Sequence, residues 1–164
     1  MEKHKLNKLI LVAIAVAVSL ALLIGLTQKP GAPDVSGVDV TGRPFALAQW
    51  RGHPVLIDFW ATSCVGCVQE MPKLVELYRQ YHASGLELVA VAMNYDDAKQ
   101  VSRFVAEHHL PFTVVYDAQG SIAHAFGDIL LTPTDFLISA DGKIERQIIG
   151  EPNFTNLAHR LSAG

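Results

Sequence analysis

The stretch DFWATSCVGCVQEMP, residues 58–72, joins the end of a predicted buried strand to the start of a predicted helix. The strand, residues 54–60, is apolar apart from one aspartate, which is the pattern expected of a strand covered on both faces. The helix, residues 64–82, carries apolar side chains at helical spacing and is followed by a glycine that can end it. Both cysteines of the chain, Cys64 and Cys67, therefore fall at the N-terminus of one helix.

This position has a chemical consequence for the two cysteines. Unpaired N–H groups and the helix dipole at a helix N-terminus favour a thiolate, which makes Cys64 the predicted nucleophile. Cys67 lies one turn deeper, where it can attack a mixed disulfide and release the substrate. The intervening Val65 and Gly66 add no positive charge to stabilise the thiolate, which favours a reductant over a strong oxidant. The pair therefore predicts thiol:disulfide exchange.

The rest of the chain alternates strands with helices. A small hairpin is predicted before the strand at residues 54–60, and a second hairpin with a closing helix is predicted near the C-terminus. This order predicts an α/β fold in which a mixed central β-sheet is flanked by helices. The further predicted elements are a hairpin over 36–47, a strand over 86–93, a helix over 97–108, a strand over 111–116, a short helix over 121–126, a hairpin over 136–149 and a helix over 153–161.

The N-terminal segment differs in composition from everything after it. Residues 9–26 form a run of eighteen residues without a charge, preceded by three lysines. A helix of this length spans ~27 Å, close to the ~30 Å of the hydrocarbon layer. The sequence therefore predicts a cytoplasmic basic tip over 1–8, a transmembrane anchor over 9–26, a linker over 27–34 and a domain over 35–164.

A cleaved signal peptide is the alternative to a retained anchor. Such a peptide would have a shorter apolar core of about 7 to 15 residues and a small-x-small cleavage site. Near the end of the run only Gly25-Leu26-Thr27 approaches that pattern, so the retained anchor is favoured. Both interpretations deliver the domain to the same compartment.

Composition excludes two classes of protein, those that bind nucleic acids and those built around several disulfides. Residues 1–29 hold four lysines and one glutamate, which leaves nine basic and fifteen acidic residues from Pro30 onward. That part of the chain has no cluster of basic residues to neutralise phosphates, so no nucleic-acid partner is predicted. Two cysteines in one short motif also exclude a disulfide-rich scaffold. The sequence predicts no bound cofactor.

Residues 58–72 resemble the active-site stretch of the thioredoxin superfamily, and more closely that of the TlpA- and ResA-type membrane-anchored thiol:disulfide reductases. The similarity covers nearly all of residues 33–161. The stretch TPTDFLI, residues 132–138, is similar to the family's cis-proline loop, and residues 86–112 are similar to the strand and helix that distinguish this branch. The resemblance implies a thioredoxin fold with an N-terminal β-hairpin, a strand–helix insertion and an N-terminal transmembrane helix.

The same resemblance implies roles for individual residues. It makes Cys64 and Cys67 the redox-active pair, and it assigns Thr132, Pro133 and Trp60 to substrate binding. A cis bond before a proline turns the neighbouring backbone toward the thiols and leaves an edge on which an extended substrate can pair.

Two carboxylates are candidate catalytic residues that exchange a proton with Cys67. Asp58 is similar in position to the buried carboxylate of thioredoxins, and Glu70 is similar to the acidic residue that TlpA and ResA relatives carry after the motif. Buried carboxyls tend to have raised pKa values, which suits them to exchange a proton with a thiol near neutral pH. The sequence leaves open which of the two serves.

The resemblance also implies a location and a set of partners. It implies a single-pass protein of the inner (cytoplasmic) membrane, with its N-terminus in the cytoplasm and its catalytic domain in the periplasm or another extracytoplasmic space. The implied partners are protein disulfides, a membrane thiol electron donor and the lipid bilayer around residues 9–26. Relatives of this type reduce apocytochrome c in cytochrome c biogenesis, whereas others act on metal-site or sporulation proteins, so the client stays open.

Other uses of the cysteine pair are weighed against thiol:disulfide exchange. A structural disulfide across a two-residue gap would stabilise weakly, because it removes little entropy from the unfolded chain. A copper-binding metallochaperone of thioredoxin fold would use both thiolates and a histidine, although such proteins commonly separate the cysteines by three residues. Zinc normally requires four ligands, and no second cysteine pair is present. A thiol peroxidase needs a threonine three positions before its cysteine, whereas Thr62 lies two before Cys64.

Overall fold

The computed structural model describes residues 29–162, together with positions 4, 7, 11, 14–20, 22 and 25. Six of the eight residues of the predicted basic tip, eight of the eighteen residues of the predicted anchor and the first two residues of the predicted linker lie outside the described residues. Within the described part of the chain, no helix is long and apolar enough to cross a bilayer. The anchor and the domain boundaries therefore stay predictions. The chain divides into two units, residues 1–30 and 31–164, and the elements below belong to the second.

The described part of this second unit contains seven strands and four α-helices. In chain order they are β1 (Ser36–Val38), β2 (Pro44–Ala46), β3 (Val55–Trp60), α1 (Val65–Tyr81), β4 (Glu87–Ala92), α2 (Ala98–His108), β5 (Thr113–Tyr116), α3 (Ser121–Ala125), β6 (Thr134–Ile138), β7 (Ile144–Ile149) and α4 (Phe154–Ser162). Two 3-10 turns, Leu47–Trp50 and His82–Ser84, follow β2 and α1. Each of these strands and helices overlaps an element predicted from the sequence.

The strands form a small hairpin and a five-stranded mixed sheet. β1 pairs with β2 in an antiparallel hairpin, and the larger sheet has the order β5-β4-β3-β6-β7. The central strand β3 runs parallel to β4 and antiparallel to β6. β4 and β5 are also parallel, so helices α1 and α2 supply the crossovers that parallel neighbours require. The predicted α/β fold with a mixed central sheet is confirmed.

The central strand β3 is buried along its whole length. Ile57 and Phe59 face one core cluster, whereas Leu56 and Trp60 face the other, which contains the buried side of α1. Successive residues of a strand point to opposite faces, so Asp58 shares the face of Leu56 and Trp60. The one carboxylate of the strand is therefore directed toward the helix that carries the cysteines.

Helix α1 covers this second face of the sheet with residues spaced three and four apart. Cys67, Met71 and Leu74 are among its buried residues, as the helical periodicity predicts. The chain leaves the helix through the 3-10 turn and Gly85, whose φ of 104° lies in the left-handed region that glycine adopts without steric penalty. The helix thus holds Cys67 against the sheet while its N-terminus stays at the surface.

One strand boundary differs from the prediction in a way that affects the site. The last hairpin is predicted to begin at residue 136, but β6 begins at Thr134. Asp135 therefore joins the sheet, where it pairs directly with Asp58 of β3. Aspartate is depleted in strands and is almost never fully buried without a partner, so the sequence pattern gave no reason to extend the strand.

Candidate active site

The cysteine pair forms a disulfide at the N-terminus of α1. Cys64 is half-buried and Cys67 is fully buried. Cys64 is the N-cap residue of the helix, and its Sγ accepts a hydrogen bond of 3.2 Å from the backbone N–H of Cys67. A helix N-terminus offers unpaired N–H groups and a positive dipole end, so this position stabilises a thiolate at Cys64.

A second segment, residues 130–134, packs against the disulfide. The peptide bond between Thr132 and Pro133 is cis, and the carbonyl oxygen of Thr132 lies 3.6 Å from Cys64 Sγ. A methyl group added at Gly66 would lie 3.8 Å from Cδ of Pro133, so the proline sits over the turn between the cysteines. The structure thus brings together the two motifs that the sequence assigns to redox chemistry and substrate binding.

Hydrogen bonds fix the shape of this loop. Thr134 Oγ1 donates to the carbonyl of Leu131 at 2.8 Å, and the N–H of Gly150 donates to the carbonyl of Pro133 at 2.9 Å. Tyr95 Oη lies 3.1 Å from Thr132 Oγ1. The carbonyl of Thr132 is therefore held in place beside the sulfur by its neighbours on both sides.

Exposed apolar side chains lie on the segments next to the half-buried Cys64. Val65 follows Cys64 directly, Leu130 and Leu131 lead into the cis-proline loop, and Tyr95 contacts that loop. All four side chains are exposed, Leu130 to 84%. Sequence reasoning assigned none of these four side chains to substrate contact, although the apolar pair directly before Thr132 was a usable signal. They give the site a surface on which a polypeptide can bury apolar area.

Trp60 lies in the core beneath the site rather than on this surface. Its side chain has no exposed area, and its ring centroid lies 5.1 Å from that of Phe104. A substrate that docks on the protein surface would not touch this side chain. We therefore assign Trp60 to packing, which corrects the predicted substrate contact.

Asp58 and Glu70 are both fully buried on the α1 side of the sheet, and none of their carboxyl oxygens has a hydrogen-bond partner among the described residues. Burial, followed by the charges of Asp135 and Glu70, raises the pKa of Asp58 well above its ordinary value. Burial also raises the pKa of Glu70 to about 8, with the charges of Asp135 and Glu151 adding to this rise and Lys73 opposing it. Both candidates therefore hold a proton at higher pH than an ordinary carboxyl.

The loop before the cysteines is anchored by Asp96, another residue that sequence reasoning missed. Its carboxylate accepts a 2.6 Å hydrogen bond from the N–H of Thr62 and another of 2.6 Å from Thr62 Oγ1. Tyr116 Oη donates to the backbone carbonyl of Asp96 at 3.1 Å, which secures the acceptor itself. Asp96 thus ties the chain two residues before Cys64 to the loop that follows β4.

We expect Asp96→Ala to lower the free energy of unfolding by about 2–3 kcal/mol, because hydrogen bonds to a charged group contribute ~1.5–3 kcal/mol each and the two are partly redundant. Urea denaturation of the oxidised protein measures the change. The exposed Glu107 on α2 offers a control, since Glu107→Ala should change stability by no more than about 0.5 kcal/mol. Equal effects of the two substitutions would show that Asp96 does not anchor the loop.

Comparison with known proteins agrees with this geometry. The family model described as Redoxin matches residues 27–161 of the chain. The chain is 35% identical over 170 residues to the thiol-disulfide oxidoreductase ResA of Bacillus cereus, covering 98% of this chain and 97% of that protein. It is 30% identical over 126 residues to ResA of Bacillus subtilis, covering 76% of this chain and 69% of that protein.

Solved structures are similar over most of the chain. A Chlorobium tepidum thiol:disulfide interchange protein of the thioredoxin family superposes with a TM-score of 0.77 at 26% identity, covering 84% of this chain and 97% of that one. StoA from Bacillus subtilis superposes with a TM-score of 0.68 at 26% identity, covering 79% of this chain and 98% of that one. These similarities confirm the predicted thioredoxin-like fold.

Proposed function

The chain belongs to the redoxin family and is a thiol:disulfide oxidoreductase, and from this premise we propose that Cys64 and Cys67 are its redox-active pair and reduce disulfides of other proteins. The observation that supports this proposal best is the disulfide at the N-terminus of α1, with the Thr132 carbonyl 3.6 Å from Cys64 Sγ. The half-buried sulfur is open to a partner, whereas the buried one is not.

The reaction follows from the different positions of the two sulfurs. In the reduced protein the Cys64 thiolate attacks a substrate disulfide, forms a mixed disulfide and expels one substrate thiolate with the electron pair of the broken bond. The Cys67 thiol then loses its proton and attacks Cys64 Sγ. This second step forms the intramolecular disulfide and releases the other substrate thiolate. Two electrons pass from the protein dithiol to the substrate disulfide.

The cis-proline loop positions the substrate in this proposal. Proline has no N–H, so the exposed hydrogen-bonding groups of the loop next to Cys64 belong to Thr132 and its neighbours. An extended substrate can pair with this backbone as an added strand while its disulfide approaches Cys64 Sγ. Thr132 and Pro133 therefore serve as substrate-binding residues, and the apolar side chains of Leu130 and Leu131 extend the contact.

One of the two carboxyls, Asp58 or Glu70, accepts the proton of Cys67 in the second step. Both carboxyls lie in the layer between the sheet and α1 that also contains Cys67. Glu70 follows Cys67 by three residues on the helix, a spacing that places two side chains on one face. Their raised pKa values bring them closer to that of a thiol, which allows efficient proton exchange near neutral pH.

The proposed site of action is the outer face of the cytoplasmic membrane. The uncharged run at 9–26 and the lysines before it support a single-pass anchor with a cytoplasmic N-terminus. A membrane thiol donor would return the disulfide to the dithiol, and protein disulfides such as that of apocytochrome c would be the clients. Accessibility of residue 2 and residue 164 to a membrane-impermeant label in spheroplasts would test the orientation.

Trapping of the mixed disulfide tests the reaction itself. Full-length Cys67→Ser, reduced and mixed with insulin, should accumulate a covalent adduct that excess dithiothreitol dissolves, because the resolving sulfur is missing. The matched control, in which both cysteines are replaced by serine, should form none. Absence of an adduct from the single variant, or an adduct of equal yield from the control, would overturn the assignment of Cys64 as the attacking residue.

A copper metallochaperone is the alternative that the residues leave open. Such a protein needs a third ligand beside the two thiolates. Among residues 29–162 and the described N-terminal positions, no group of three or more His, Cys, Asp or Glu side chains is placed to hold a metal ion. No specific observation therefore favours this function over disulfide reduction.

A further inference from the structure

Three carboxyl side chains are buried in the layer between the sheet and α1. Asp58 comes from β3, Asp135 from β6 and Glu70 from α1, and all three have no exposed surface. Two of them are the candidate proton acceptors discussed above. Asp135 lies within the stretch TPTDFLI, residues 132–138, but has no assigned role there.

The sheet register places Asp135 directly opposite Asp58. The two residues are partners in the antiparallel β3–β6 pair, where opposed side chains lie on one face with Cβ atoms about 4.5–5.5 Å apart. Leu137, two residues further along β6, belongs to the same core cluster as Cys67. Asp135 therefore faces the helix that carries the resolving cysteine.

Hydrogen bonding does not compensate the burial of these carboxyls in the described part of the chain. Among the described residues, none of their six oxygens has a hydrogen-bond partner. Asp58 is flanked on its other side by Ala90 of β4, and Asp135 by Ile148 of β7. The cluster therefore sits among apolar neighbours within the sheet.

Charged groups outside the sheet act mainly on Glu70. Lys73 of α1 lowers its pKa, whereas Glu151, in the segment before α4, raises it. Lys73 and Glu151 also form an ion pair with each other. Asp135 is the group that acts on both other members, because its charge raises the pKa of Asp58 and that of Glu70.

Three carboxylates buried in one apolar layer cannot all ionise readily, because each buried charge lacks solvent and repels the others. They must therefore share protons near neutral pH. Burial raises the pKa of Asp135 itself to about 7. Asp135 thus changes its charge in the same pH range in which the redox reaction is expected to run.

We propose that Asp135 is a positioning residue of the exchange reaction: it faces Asp58 across the sheet, in the buried layer that also holds Glu70, and sets the surroundings in which these two carboxyls exchange a proton with Cys67. The inference rests on the proposed function. An ordinary carboxyl and an ordinary thiol differ about ten-thousandfold in proton affinity, so an isolated carboxylate is a poor base for Cys67. Asp135 reduces this difference in proton affinity between the carboxyls and the thiol.

The proton and electron balance of the step is simple. The Cys67 S–H bond breaks and its proton passes to a carboxylate of the cluster, leaving a Cys67 thiolate. The thiolate forms a bond to Cys64 Sγ while the bond from Cys64 to the substrate sulfur breaks, and the substrate leaves as a thiolate with that electron pair. The carboxyl then releases its proton to the departing thiolate or to water.

A carboxyl titration tests the inference directly. Full-length protein with carbon-13-labelled Asp and Glu, in detergent and in the oxidised state, is titrated by NMR from about pH 4 to about pH 10. In Asp135→Asn the titration midpoints of the Asp58 and Glu70 carboxyls should each fall by about one pH unit or more, which is a tenfold loss of proton affinity. Asp135→Thr, which also removes the charge, provides a second variant if the first fails to fold. Unchanged midpoints would overturn the inference.

The buried Asp117 provides the matched control for this titration. It is 3% exposed, but its carboxylate accepts a 2.9 Å hydrogen bond from the N–H of Ala123 in α3. Asp117→Asn should leave the midpoints of Asp58 and Glu70 where they are in the wild type. Equal shifts in both variants would show a general structural effect and would contradict a specific role for Asp135.

A kinetic measurement links the cluster to the reaction. The rate of insulin reduction by Asp135→Asn should fall about tenfold or more near pH 7, and its pH profile should move toward lower pH, because the remaining carboxyls are weaker bases. If Asp135→Asn reduced insulin at the wild-type rate and the titration midpoints of Asp58 and Glu70 were unshifted in it, this inference would be refuted and the proposed function would stand. If the wild-type protein itself reduced no disulfide while the midpoints shifted in Asp135→Asn, the proposed function would be refuted, and with it any role of Asp135 in catalysis.

Discussion

Cys64→Ser is expected to reduce the rate of disulfide reduction to that of the uncatalysed reaction, a loss of at least about a thousandfold. A serine hydroxyl can neither ionise at neutral pH nor form a disulfide, so the N-terminus of α1 has no nucleophile to stabilise. The remaining thiol of Cys67 is fully buried and cannot reach a protein substrate. Turnover of insulin disulfides with dithiothreitol as reductant measures the effect.

The neighbouring serine supplies the control for this substitution. Ser63 directly precedes Cys64 and is exposed, so Ser63→Ala should retain the wild-type rate. If Cys64→Ser kept more than about a tenth of that rate, the attacking sulfur would have to be another one, since a serine cannot replace it. Because the chain has only two cysteines, Cys67→Ser measured in the same assay would identify which sulfur attacks.

The fold could be predicted from local patterns. The apolar run of β3 and the helical spacing of α1 are properties of short segments, and turn residues such as Gly85 mark where the segments end. The alternation of strands and helices then restricts the topology to an α/β sheet. The redox pair was predictable for the same reason, because Cys64 and Cys67 are close in sequence and their chemistry follows from their place on a single helix.

Residues that act across strands could not be predicted in this way. Asp135 gains its environment from the β3–β6 register, which places it opposite a residue far away in sequence. Asp96 reaches Thr62 through a contact between two loops. Neither the pairing of two particular strand residues nor a contact between two loops produces a periodic pattern in the sequence. For Trp60 the error is the opposite one. The motif predicted a substrate contact, but side chains of β3 point alternately to the two faces of the sheet, and that of Trp60 is buried in the core.

The buried carboxyl cluster is also expected to make the oxidised protein less stable as the pH rises. The pKa of Glu70 is raised to about 8 and that of Asp135 to about 7, and the pKa of Asp58 is raised well above its ordinary value. Between the ordinary carboxyl value of about 4 and these raised values, the folded state binds more protons than the unfolded state. Stability must therefore fall with increasing pH throughout this range.

The size of the effect follows from the proton affinities. Each tenfold difference in the proton affinity of a group between the folded and unfolded states corresponds to about 1.4 kcal/mol of stability. The contributions of the three carboxyls do not add fully, because they repel one another within the cluster. We expect the free energy of unfolding to decrease by roughly 3–5 kcal/mol between about pH 5 and about pH 9. Urea denaturation of the disulfide-bonded protein measures this without interference from the cysteine thiols, which do not titrate in that state.

Replacing one carboxyl distinguishes the contribution of the cluster to the pH dependence of stability from that of other titrating groups. Glu70→Gln should flatten the decline and make the protein more stable than the wild type above about pH 8, because an amide needs no proton to remain neutral. His124, whose pKa the exposed Asp128 raises, contributes in the same direction but lies at the surface, where the effect is small. The exposed Glu107 again provides the control, since Glu107→Gln should leave the curve unchanged. A wild-type stability that stayed level or rose over this pH range would mean that the three carboxyls are ionised in the folded protein, and they could then not be the groups that take up the proton of Cys67.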